Sequence, residues 1–178
     1  MTDPDMAAPE EIQWAGQFIA AKTRGKWEYV GRTRNVRAAV IVAVTDGDVL
    51  LVEQFRVALG APCLELPAGL VGDETAGEPV EDAAARELEE ETGYRADRIE
   101  SLGEFCSSPG MVSETFTLVR ASGLTKVGDG GGVHDENITV HRVPLTGVAD
   151  FLAERRKAGV MADAKLLLLL GAGIIAGA

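Results

Sequence analysis

The sequence predicts an α+β sandwich in which helices flank a mixed β-sheet, on three observations. Some seven short segments are rich in β-branched, apolar and aromatic residues, as strands are. One central segment and one late segment carry helical periodicity instead. At 178 residues and 46% apolar composition, the chain can bury one good core, and a single domain over residues 1–178 is expected.

The elements follow in order. "KWEYVGRT" (26–33), "VRAAVIVAVT" (36–45) and "VLLVEQF" (49–55) read as strands, with Asp46-Gly47-Asp48 supplying a hairpin turn between the last two. "CLELP" (63–67) is a further short strand, and "RIESLGEF" (98–105) and "ETFTLVRA" (114–121) alternate well enough to pair. "NITVHRV" (137–143) closes the set before "TGVADFLAERRKAG" (146–159) turns helical. Between them, "VGDGGGVHDE" (127–136) holds too much glycine for regular structure and is expected to be a mobile loop. The run "LLLLLGAGIIAGA" (166–178) is shorter than the roughly 20 residues of a spanning helix. With Asp163 as N-cap, it reads as a buried terminal helix and not as a membrane anchor.

Charge narrows the partners. A net charge of −11 argues against nucleic acid, whose affinity comes from clustered Lys and Arg. Small anionic ligands stay open where cations are recruited locally. The acidic start "MTDPDMAAPEEIQW" lacks the basic and apolar regions of an export signal, so a cytoplasmic protein is expected. Cys63 and Cys106 are too few for a disulfide framework and read as reduced thiols.

The densest chemistry lies in Gly72–Tyr94, where 9 of 23 residues are acidic. Pro79 suits a helix's first turn and Gly93 its stop, so residues 79–92 should be helical. Val80, Ala84 and Leu88 then form the apolar stripe, with Glu81, Asp82, Glu89 and Thr92 facing away. Glu87 and Glu91 fall within the stripe, four residues apart, and Glu90 lies one turn from Glu87. Like charges near a core share a proton or bind a cation, and hard oxygen ligands suit Mg²⁺ or Mn²⁺.

From Gly72, five residues lead to Glu78, seven more to Arg86, and "RELEEETGY" follows. This pattern resembles the Nudix signature. The resemblance implies an α/β/α sandwich with a mixed sheet, and a Mg²⁺- or Mn²⁺-dependent enzyme that cleaves nucleoside diphosphates linked to another moiety. By position it implies Glu87, Glu90 and Glu91 as metal ligands, an Arg86–Glu78 ion pair steadying the loop-helix turn, and catalytic roles for Arg86 and Glu90.

"EQFR", "LELPAGLVGDE" and "SSPG", together with "KWEYVGRTR" and "MADAKLLLLL", are similar to the ADP-ribose and ADP-sugar pyrophosphatases of that family. This likeness implies a metal-binding carbonyl at Ala68, phosphate contacts from Arg32 and Arg56, and adenine stacking on Trp27. Glu114 would lie near the terminal ribose, and Pro109 would be a substrate contact. The general base would be Glu136, with Asp135 as competitor. His134 and His141 match no family position, and Trp14 is assigned to packing or a dimer contact. A homodimer is implied, with residues 1–35 as an N-terminal antiparallel strand region at the interface and 36–178 as the core.

The expected reaction is hydrolysis of ADP-ribose to AMP and ribose 5-phosphate, with GDP-mannose or another nucleotide sugar as the alternative substrate. The contrasting class is a sensor that binds such a metabolite without turnover. A sensor has no need of Glu87, Glu90 and Glu91 together.

Overall fold

The computed structural model describes residues 4–34, 36–72, 77–133 and 136–176. At the front, β1 (Glu10–Ala15), β2 (Ile19–Arg24) and β3 (Trp27–Arg32) form a three-stranded antiparallel sheet. It meets the rest of the chain at Val30, whose N–H and C=O bond Met111 and Ser113, both at 2.9 Å.

A larger mixed sheet follows. Strands β4 (Arg37–Thr45) and β5 (Asp48–Arg56) meet at a tight turn, where Asp46 and Gly47 both have positive φ, 52° and 83°. That pair of angles is what a two-residue hairpin needs to match strand twist. The first half of β4 pairs antiparallel with β7 (Ala68–Val71) and parallel with β9 (Thr115–Lys126), which β8 (Tyr94–Cys106) flanks. On the other side, β5 pairs with β6 (Ala61–Glu65) and with β10 (Thr139–Pro144). The short β11 (Met161–Ala162) lies parallel to β6.

Side-chain alternation along β4 divides the core. Ala39, Ile41 and Ala43 join Ala83, Ala84 and Leu88 of helix α1 (Val80–Thr92) in one cluster. Val40 faces the other way, joining Val148 and Leu152 of α2 (Val148–Lys157) and Leu166, just before α3 (Leu167–Ala176). Each fully buried leucine contributes about 1.5–3 kcal/mol of apolar burial. Helices therefore cover both faces of the mixed sheet, as expected.

Three expectations are corrected. Thr92 does not face away: it is 1% exposed, and its hydroxyl donates to the Leu88 carbonyl, so the polar group is satisfied within the helix. The terminal helix is not buried all round. Asp163 caps a single 3₁₀ turn by accepting the Lys165 N–H, and Leu167 and Leu168 beyond it are 53% and 56% exposed. The glycine-rich segment lacks regular structure, but its described part is bonded to the end of α1 at Glu90, Glu91 and Gly93.

The expected N-terminal antiparallel strand region is present as β1–β3, whereas β7 and β11 fall outside the segments that read as strands in the sequence. These two have only four and two residues. Among the described residues, no helix is long and apolar enough to cross a membrane.

Candidate active site

Helix α1 organises the site. Pro79 stands at its N-cap in extended conformation, and Gly93 ends it in the left-handed region at φ 74°. Burial of Ala83, Ala84 and Leu88 against the sheet rotates Glu91 inward until it is 5% exposed. Its Oε2 accepts the Ala68 N–H at 3.0 Å. Burial pushes its carboxyl up to about 8, the charges of Glu87 and Glu136 add to the rise, and the Ala68 N–H and Arg56 oppose it.

Glu87 lies across β7 at Gly69, where a Cβ would clash with the Glu87 carboxyl group. Glycine there leaves the slot in which the side chain rests. Arg86 gathers the neighbouring acids: Nη1 reaches Glu87 at 3.0 Å and Glu90 at 3.3 Å, and Nη2 lies 3.7 Å from Glu78. The expected Arg86–Glu78 pair is thus present, with two further carboxylates on the same guanidinium.

The donor set suits a small hard cation. Glu87 and Glu91 are carboxylates on successive turns, and Glu91 is a buried acid whose charged form a cation would favour. Among the described residues, no three acidic, His or Cys side chains already stand as a cation site, and Glu87 and Glu90 are held by Arg86.

Beside α1 opens a cavity of about 480 Å³. It brings together Ala68, Glu87, Glu91, Arg32, Arg56 and Glu114 of the expected set, and Glu136 as well. Glu90 does not line it. Both arginines are held by carboxylates. Arg32 Nε donates to Glu114 at 2.6 Å, and Arg56 forks onto Glu65 through Nε at 2.6 Å and Nη2 at 2.9 Å. The Glu65 bond raises the guanidinium pKa of Arg56 further. Of five guanidinium N–H donors, the fork uses two, leaving three for a ligand. Asp135 and His134 lie outside the described residues. His141 stands apart from the cavity, bonding Glu53 at 3.1 Å.

Trp27 and Pro109 are not brought to this cavity. They line a separate one of about 370 Å³ between the N-terminal sheet and the loop after β8. Trp27 is 49% exposed there.

Sequence reasoning missed Glu65, Gly69, Phe116 and Lys165 in the first cavity's walls. Glu65 left a signal, as the only charge in the strand "CLELP". Gly69 left none beyond its neighbourhood.

The NUDIX domain family matches residues 34–163. The chain belongs to that family. It is 38% identical over 114 residues to the ADP-ribose pyrophosphatase of Mycobacterium tuberculosis, covering 63% of this chain and 54% of that one. Over 130 residues it is 39% identical to the GDP-mannose pyrophosphatase of Cronobacter sakazakii, covering 68% and 64%. The chain thus spans between half and two thirds of the length of these relatives. A solved structure described as an ADP compounds hydrolase superposes with a TM-score of 0.70 at 23% identity, covering 95% of this chain and 93% of that one. That likeness shows the shared fold.

Proposed function

We propose that this chain is a Nudix hydrolase, one domain over residues 1–178, that cleaves the pyrophosphate of a nucleoside diphosphate sugar. ADP-ribose, hydrolysed to AMP and ribose 5-phosphate, is the substrate proposed first. The observation that carries the reading is one cavity lined by both kinds of group such a reaction needs: arginines for phosphate oxygens, and carboxylates for a cation and a proton. The mycobacterial relative supports ADP-ribose, and the Cronobacter relative keeps GDP-mannose as the second reading.

Glu87, Glu90, Glu91 and the Ala68 carbonyl would hold Mg²⁺ or Mn²⁺, Glu90 after turning from Arg86. Bound there, the ion supplies charge neutralisation and a more acidic water. Arg32 and Arg56 hold the diphosphate through charge-assisted bonds. Glu136 accepts the proton of the attacking water as its oxygen bonds to one phosphorus and the bridging P–O bond breaks. Glu114 holds Arg32 and lies on the sugar side.

We also propose a cytoplasmic homodimer, in which residues 1–35 of one protomer complete the site of the other. Its support is the separation of Trp27 and Pro109 from the carboxylates, together with the exposure of Ile12, Trp14 and Phe18 on the N-terminal sheet. Light scattering showing a monomer at assay concentration would exclude it. The function is tested by a panel of nucleotide sugars with Mg²⁺ or Mn²⁺. Release of AMP from ADP-ribose is expected, release of GMP from GDP-mannose alone would select the second reading, and turnover of neither would reject both.

A further inference from the structure

An α-helix ends with carbonyls that lack partners within the helix. In α1 they are taken up by the glycine-rich segment. Gly132 N–H donates to the Glu90 carbonyl at 3.0 Å and Gly131 N–H to that of Glu91 at 2.9 Å. Val127 and Gly128 N–H groups reach the Gly93 carbonyl at 2.8 and 3.1 Å.

The contact is backbone against backbone. At Gly130, φ is +69°, and a Cβ would clash with the Thr92 carbonyl carbon and lie 2.6 Å from Glu91 O and 2.7 Å from Gly93 N. A Cβ on Gly93 would in turn strike the Gly128 carbonyl. Gly132, at φ +80°, lies so close to Glu136 that a Cβ would overlap its Oε2. That oxygen accepts the Val133 N–H at 2.8 Å. On the far side, Ile138 N–H bonds the Gly131 carbonyl at 3.1 Å, just before β10 begins.

We propose that Gly130 and Gly132 are positioning residues: they clamp the segment carrying Glu136 to the end of the helix that carries the cation ligands, so that base and ligands are set by one backbone network. The proposal rests on the assignment of Glu136 as base. Only glycine tolerates these positive φ values at such close approach, so the spacing depends on the missing side chains.

Two measurements test it. Amide hydrogen exchange on the full chain should show Gly131 and Gly132 protected to a similar degree without metal and with Mg²⁺; rapid exchange of both without metal would overturn the clamp. Kinetically, Gly130→Ala should lower kcat by about tenfold or more, leave KM within about threefold, and keep the rise in Tm on adding Mg²⁺. Combined with Glu136→Gln, it should cost less than about a further twofold, because the group it positions is already gone. A wild-type kcat for Gly130→Ala, or a full additional loss in the double variant, would overturn the positioning role. Should Gly130→Ala fail to fold, Gly132→Ala, which meets the Glu136 side chain and not the helix, carries the same kinetic expectations. An unchanged kcat for Glu136→Gln alone would reject the base, and the positioning role with it, while amide exchange would still report on the clamp.

Discussion

The two cavities of this molecule are built differently. The one beside α1 is lined by Glu65, Glu87, Glu91, Glu114 and Glu136 with two arginines, several of them locked in ion pairs. The one beneath the N-terminal sheet adds the apolar surfaces of Trp27, Met6, Pro109 and Val112 to the charged Asp5, Glu10, Arg24 and Glu28. The first has the groups to bend a reaction path, and the second has surface on which a flat apolar group can rest. On the function proposed above, chemistry and phosphate contacts belong to the first cavity and base stacking to the second, so substitutions in the two places should separate kcat from KM.

The largest effect expected is on chemistry. Glu136→Gln keeps the shape of the side chain and removes the proton acceptor, so kcat should fall by roughly 10²–10⁴ with KM little changed. Asp135→Asn should be mild. Steady-state kinetics on ADP-ribose decides, and the reverse pattern would move the base one residue back. If neither change matters, the carboxylates of α1 or the cation itself must activate the water.

The next prediction concerns the cost of holding Glu91 inside. Its folded pKa is about 8 against an ordinary 4.5, so between those values the folded chain binds more protons than the unfolded one. Stability of the metal-free protein should therefore be fully present below about pH 4.5 as far as this group goes, and be lost as pH rises towards 8. Glu91→Gln should flatten that decline and raise the Tm of the metal-free protein near pH 8 by roughly 5–10 °C. The same change should weaken the rise in Tm that millimolar-scale Mg²⁺ gives wild type. Thermal melts with chelator and with Mg²⁺ measure both, and a Glu91→Gln protein that still responds fully to Mg²⁺ would remove Glu91 from the ligand set.

These two predictions concern what was readable in sequence, and the reason is local. Glu87, Glu90 and Glu91 share one helix whose ends Pro79 and Gly93 announce, so spacing alone places them. The paired strands 98–105 and 114–121 were legible because they alternate. Glu65, by contrast, reaches Arg56 only through the pairing of β5 with β6, and Gly69 matters only because Glu87 arrives from another element. The expected loose loop illustrates the same limit. Its glycines signal absence of regular structure equally well whether the backbone is free or, as here, packed onto the end of α1. Strands β7 and β11 left no signal because four and two residues are too few to show an alternation.

On the recognition side, Trp27→Ala should raise KM by about 5- to 150-fold, the equivalent of losing stacking worth about 1–3 kcal/mol, with kcat nearly unchanged. A fall in kcat without a change in KM would erase the division between the two cavities. The test also bears on assembly. If Trp27 serves the partner's site, mixing Trp27→Ala with Glu136→Gln subunits should restore some sites of normal KM and kcat, whereas sites built within one chain would show no such complementation.

The smallest effect sharpens the comparison from inside the charged cavity. Glu65 holds Arg56 through a two-bond fork. Glu65→Gln keeps one acceptor and loses the charge, so the guanidinium should lose its fixed orientation while gaining uncompensated positive charge towards the diphosphate. The two consequences oppose one another, and because Arg56 is partly open to solvent, its charge-assisted bonds are discounted. A rise in KM of about three- to tenfold is expected, with kcat kept within about twofold. Salt then separates orientation from charge: if the fork's work is orientation, the ratio of variant to wild-type KM should hold from low to moderate ionic strength, because screening acts on both proteins alike. A ratio that climbs steeply with salt would mean that the variant relies on net charge where wild type relies on geometry. A KM below wild type would show that Glu65 weakens binding by neutralising Arg56, and orientation would then be the lesser effect.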